Sequence, residues 1–126
     1  MILRDIAWPH HFQSMSGQRS DMRIPVIFGG DVAPDDAVLI EGDAPAPPAA
    51  WVERFHLPAN PLHGVGCACC APRGPAADAL ARLFLARARG DSAFFRRVVV
   101  LAGAQGMEAV HTAIAADVVT GARFTT

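Results

Sequence analysis

The chain of 126 residues contains no lysine. That excludes a phosphate-cradling loop of the form Gly-x-x-x-x-Gly-Lys-Ser/Thr, whose lysine reaches the phosphates. After the apolar run Ile24 to Phe28 there is only Gly29-Gly30-Asp31-Val32. An excess of either charge is missing too. A formal net charge of -1 leaves no global field to recruit nucleic acid or an anionic membrane. The basic clusters, Arg82, Arg87 and Arg89 and then Arg96 and Arg97, do not read as interleaved with stacking aromatics, so no nucleic-acid partner is expected. Hydrophobic residues make up 52%, much of it alanine, yet no run approaches the roughly 18 apolar residues a membrane span needs. The stretch Met1 to His11 lacks the basic start and apolar core of a signal peptide. An even number of cysteines is missing as well. With three, two of them adjacent, a disulfide framework is not expected, whereas reduced thiols in the cytoplasm are.

What is present divides into an arm and one domain. Residues 1–22 show no hydrophobic period and carry Pro9, Ser14, Ser16, Gly17 and Ser20, a composition suited to a flexible N-terminal arm; Met1, Met15 and Met22 are alternative starts. From 23 to 126 the texture is that of a single α/β domain. Ile24 to Phe28 and Ala37 to Ile40 are short β-rich runs closed by glycine and read as buried strands. Asp43 to Pro48 is a proline-rich loop. Trp51 to Leu57 is expected to add a short helical turn before Pro58 and Pro61. Pro75 opens an amphipathic helix in which Ala76, Leu80, Leu83, Phe84 and Ala88 recur at helical spacing until Gly90, with Asp78 and Arg82 as an i,i+4 pair. Arg97 to Leu101 reads as a strand buried on both faces, and Met107 to Ala116 as a second helix burying Val110, Ala113 and Ile114. Val118, Val119 and Phe124 fit either a further strand or a packed tail. Apolar strands alternating with helices imply a small two- or three-layer fold, a mostly parallel sheet flanked by helices.

Cys67, Cys69 and Cys70, in Gly-Cys-Ala-Cys-Cys, are the chemically distinctive feature. The motif falls between a strand and a helix, where ligand sites of parallel sheets gather. Thiolates form beside a cation or a helix N-terminus, and Arg73 with the following helix start offers both. Three crowded thiolates repel one another unless a cation neutralises them, which favours a soft metal: zinc first, with copper(I) able to accept the same donors. Three sulfurs leave one tetrahedral position for histidine, carboxylate or water. His63, four residues before Cys67, is the candidate fourth ligand, and a two-sulfur site with a histidine stays open. His111 reads as a surface or packing residue, and His10, His11 and His56 as structural or solvated.

The stretch from His63 to Phe124 resembles the middle of the CobW family of metal-associated GTPases. There a Gly-Cys-x-Cys-Cys motif precedes a basic-glycine turn, here Ala71-Pro72-Arg73-Gly74, and an amphipathic helix. An arginine-rich helix end, a valine strand and an Ala-Asp-x-x-x-x-Ala-Arg-Phe ending follow, here Arg87-Ala88-Arg89-Gly90, Arg97 to Val100 and Ala116 to Phe124. The resemblance implies a cut-down fold like that of P-loop NTPases or Rossmann domains. For Cys67, Cys69 and Cys70 it implies zinc or a related metal such as cobalt. The phosphate loop is absent, Leu101-Ala102-Gly103-Ala104 stands where the family has a glutamate and a Thr-Thr-Gly turn, and the family's C-terminal domain is not expected. GTP hydrolysis is therefore not expected.

The expectation is a metal-binding protein for buffering, delivery to a protein acceptor as a metallochaperone, or sensing. Thiol redox chemistry and a non-catalytic pseudo-GTPase interaction module are the alternatives. A second copy could cover the edges of so small a sheet.

Overall fold

A computed structural model describes residues 21–58 and 74–126 of the chain. Most of the expected arm and all of Cys67, Cys69, Cys70 and His63 lie outside the described residues. Strands β1 (Ile24–Phe28), β2 (Ala37–Glu41), β3 (Trp51–Phe55), β4 (Val98–Leu101) and β5 (Phe124–Thr125) alternate with helices α1 (Gly74–Arg89), α2 (Ala104–Ala116) and α3 (Val118–Arg123). The five strands form one sheet in the order β3-β2-β4-β1-β5, and every neighbouring pair is parallel. The α/β class expected from the alternation of apolar strands and helices is the fold.

The register shows why the short apolar runs are strands. Val98 pairs with both Val26 and Ala37, and Val100 with both Phe28 and Leu39, so β4 is enclosed on both edges. Alternate strand residues Ile24, Val26, Ala37, Leu39, Val98 and Val100 share one core with Ala77, Leu80 and Leu83 of α1 and Val110 and Ala113 of α2. The intervening residues Val38, Ile40 and Val99 are buried too. Burial on both faces is what suppresses alternation and gives the continuous Val-Val-Val run of β4. The strand order sends β1 to β2 and β2 to β3 one way across the sheet, and β3 to β4 and β4 to β5 the other. Right-handed crossovers put connections of opposite direction on opposite faces. The described helices α1, α2 and α3 therefore lie on one face, and the helix-free connections 29–36 and 42–50 cross on the side of the other.

The first of those connections is fixed by an ion pair whose carboxylate is buried and whose guanidinium is partly exposed. Asp36 is 5% exposed and accepts from Arg97 Nε and Nη2, both at 2.9 Å, while the Ala33 N–H donates to the same carboxylate at 2.8 Å. These bonds to the ionised form, the arginine pair foremost, hold the Asp36 carboxyl below its ordinary pKa against the opposing effect of burial.

Four local expectations change. Trp51 to Leu57 does not turn as a helix. Trp51–Phe55 is an edge strand in register with Ala37–Glu41, because pairing with β2 satisfies its backbone at once, whereas an isolated helical turn has little to hold it. Arg82 does not pair with Asp78 along α1 but reaches the edge strand, bonding Glu53 at 2.7 Å and the Arg54 carbonyl at 3.0 Å. The 118–124 stretch divides. Asp117 caps α3 by accepting from the Val119 N–H, Val118 is exposed, and Phe124 is fully buried in β5 beside Ile24. The second helix also begins three residues earlier than Met107, at Ala104. None of the described helices is long and apolar enough to cross a membrane.

Candidate functional site

The carboxyl edge of the sheet is where the described residues bring together chemistry that the chain keeps apart. The connections after β2 and β4 leave in opposite directions, which makes the gap between those two strand ends the switch point where parallel sheets receive ligands.

Glu41, the last residue of β2, projects into that gap. Its Oε1 accepts from the Gly103 N–H at 3.0 Å. Gly103 is the N-cap of α2, it has no side chain to cap with, and the first turn of α2 has no acidic residue. A carboxylate from a neighbouring strand thus supplies the negative charge that this helix start favours. Gly106, one turn into α2, makes the approach possible, since a Cβ there would collide with the Glu41 carboxylate and lie 2.9 Å from the Ala102 Cβ.

The end of β1 turns away through Gly29 and Gly30, with φ of 78° and 93°, conformations that residues with a Cβ rarely adopt. The Gly29 N–H donates to the Val100 carbonyl at 2.9 Å. Phe28 lies face to face with His111 of α2, ring centroids 3.9 Å apart and planes 10° from parallel. His111 is thus an exposed residue stacked on Phe28, within the expectation of a surface or packing role. At the end of β3, His56 Nε2 and Asp43 Oδ1 are 3.1 Å apart, and both side chains are exposed. Arg54 Nη1 donates to the Gly42 carbonyl at 2.9 Å, tying the ends of β2 and β3 together.

Of the segment that carries the predicted thiolate residues, only the two flanks are described. The 59–73 connection that carries His63, Cys67, Cys69 and Cys70 leaves after Pro58, just past the end of β3, and meets α1 at Gly74. The first turn of this 16-residue helix carries no acidic side chain. Of the three histidines expected to be structural or solvated, His10 and His11 lie outside the described residues, and His56 has the carboxylate partner given above. Among the described residues no three histidine, cysteine or carboxylate side chains cluster as a metal site would require.

Sequence reasoning missed Glu41 and the His56–Asp43 pair. The parallel registration of β2 and β3 brings Asp43 beside His56 across 13 positions, and Glu41 meets Gly103 across 62. No local pattern signals either contact.

The described residues define an α/β protein built on a five-stranded parallel sheet. No family model, no curated protein and no solved structure matches the chain.

Proposed function

We propose that the chain is a soft-metal-binding protein, related to the CobW family, that holds zinc or a comparable thiophilic ion through Cys67, Cys69 and Cys70 with His63 as fourth ligand, for buffering, delivery or sensing, and without GTP hydrolysis. The observation that carries this reading is the donor set: three thiols within four positions in the connection from the end of β3 to the start of α1. Three sulfurs and one imidazole are a complete tetrahedral set for zinc. The position supports it, since a helix start with no acid in its first turn favours thiolate in the residues just before it.

The same edge argues against phosphate chemistry. Nucleotide phosphates are held by a glycine-rich loop that opens a helix directly after a strand. After β1 the chain instead returns to β2 without an intervening helix. After β4 a helix does begin, but the Glu41 carboxylate already occupies its N-terminus and would repel a phosphate.

The test is metal content. Protein purified under reducing conditions and loaded with zinc is expected to retain a stoichiometric ion through gel filtration, and Cys67→Ser, Cys69→Ser or Cys70→Ser to lose it. Substoichiometric metal that Cys67→Ser leaves unchanged would overturn the proposal, as would GTP turnover that rises with zinc loading.

A further inference from the structure

The opposite, amino edge of the sheet carries a groove that the metal reading does not use. It is open, about 570 Å³ in volume, and lined by Arg23, Ile24, Phe84, Arg87 and Arg123 among others. Its three guanidiniums are not equivalent. Arg23 is neutralised by Asp21, which accepts from Arg23 Nε and Nη2 at 2.9 Å each and is thereby held down to about pKa 2. Among the described residues, Arg87 and Arg123 have no carboxylate partner and no hydrogen-bond acceptor. What holds them is aromatic. The guanidinium carbon of Arg87 lies 4.1 Å from the centroid of Phe94, and that of Arg123 lies 4.2 Å from the centroid of Phe84.

Stacking occupies the flat faces of a guanidinium and leaves its N–H edge free, the edge that grips two oxygens of a phosphate at once. Two such forks therefore border one groove with their donors unspent. Arg96 adds a further cation, its guanidinium 5.9 Å from the other contact ring, Phe94. Burial and the charge of Arg96 both press the Arg87 pKa downward, an unfavourable situation that a bound anion relieves. The rest of the wall is apolar, contributed by Met22, Ile24, Phe84, Ala88 and Ala122, and Phe94 beside it is 62% exposed. The volume falls within the range of small-ligand sites and holds a body of about mononucleotide size.

We infer that this groove binds a phosphorylated small molecule with an aromatic or apolar body, its phosphate gripped between the Arg87 and Arg123 forks and its body laid against Phe84 and Met22. The basic residues that looked free of aromatic neighbours along the sequence are thus paired with rings in the fold. A single-stranded nucleic acid would use similar chemistry, but the unpaired forks end within one groove and the net charge of -1 supplies no further track for a backbone.

The test is calorimetric titration of the intact protein with AMP, with adenosine and with a short thymidine oligonucleotide, at low salt. AMP is expected to bind saturably with Kd below about 1 mM, and adenosine at least about tenfold more weakly. Arg87→Gln and Arg123→Gln are each expected to weaken AMP by about tenfold or more. Arg87→Lys and Arg123→Lys keep the charge and stem in case the glutamine variants unfold, and are expected to lose several-fold because lysine lacks the fork. Absence of saturable AMP binding, AMP binding unchanged in folded Arg87 and Arg123 variants, or an oligonucleotide bound more tightly than AMP would each overturn the assignment. Zinc content is measured on the same samples, and the result stands whether or not the cysteines hold metal.

Discussion

Replacing Asp36 by Asn tests the account of how the two central strands are joined at their amino ends. Asparagine keeps the shape and one oxygen able to accept from the Ala33 N–H, but it removes the charge that binds Arg97 through two bonds of 2.9 Å. A buried pair broken on one side costs about 3–5 kcal/mol when the survivor has no access to water. Here the Arg97 side chain is 40% exposed, so its guanidinium regains hydration and the loss shrinks. The expected destabilisation is about 2 kcal/mol, the scale of hydrogen bonds to a charged group, or a melting temperature lower by about 8 °C for a domain of this size. Urea denaturation at neutral pH measures it. The pH dependence has a defined sign. The folded Asp36 carboxyl titrates below its unfolded value of about 3.9. Its contribution is therefore complete above about pH 4 and is lost as pH falls through the folded pKa. The stability gap between wild type and Asp36→Asn should accordingly narrow below about pH 4. A gap under about 0.5 kcal/mol at pH 7, or one that does not narrow in acid, would refute the reasoning. A double-mutant cycle with Arg97→Met should return most of the loss as coupling between the two residues.

Two further outcomes follow from the packing. Gly106→Ala in an ordinary exposed helix would stabilise by about 1 kcal/mol. Here the new methyl displaces the Glu41 carboxylate from the Gly103 N–H and crowds Ala102, so a net loss of about 1 kcal/mol by thermal or urea unfolding is expected. Leu83→Ala, at a fully buried position where α1 meets the sheet, should cost about 2–5 kcal/mol on the same assay; a loss under about 1 kcal/mol would mean the helix does not pack there as described.

What could be read along the chain was what local chemistry decides. Two short glycine-bounded apolar runs had to be strands, the Val98 to Leu101 run had to be a strand covered on both faces, and the apolar spacing from Ala76 to Leu83 had to be one face of a helix. Those patterns are intrinsic to 3.6-residue and two-residue periods and need no partner to be recognised. The segment Trp51–Phe55 was ambiguous because five residues on a partly exposed edge fit either period, and only the offered edge of β2 made it a strand. The thiols at Cys67, Cys69 and Cys70 were equally a property of the sequence, since their crowding is local. Everything that gives the two edges their character came from the tertiary structure. Strand order brought Asp36 to Arg97 across 61 positions and Glu41 to the start of α2 across 62. The packing of α1 against the chain's end set Arg123 over Phe84, and the turn after α1 set Phe94 against Arg87. The physical reason is the same throughout. A backbone pattern is chosen by neighbours a few residues away, whereas a charge finds its partner only after the sheet has fixed which distant residues share an edge.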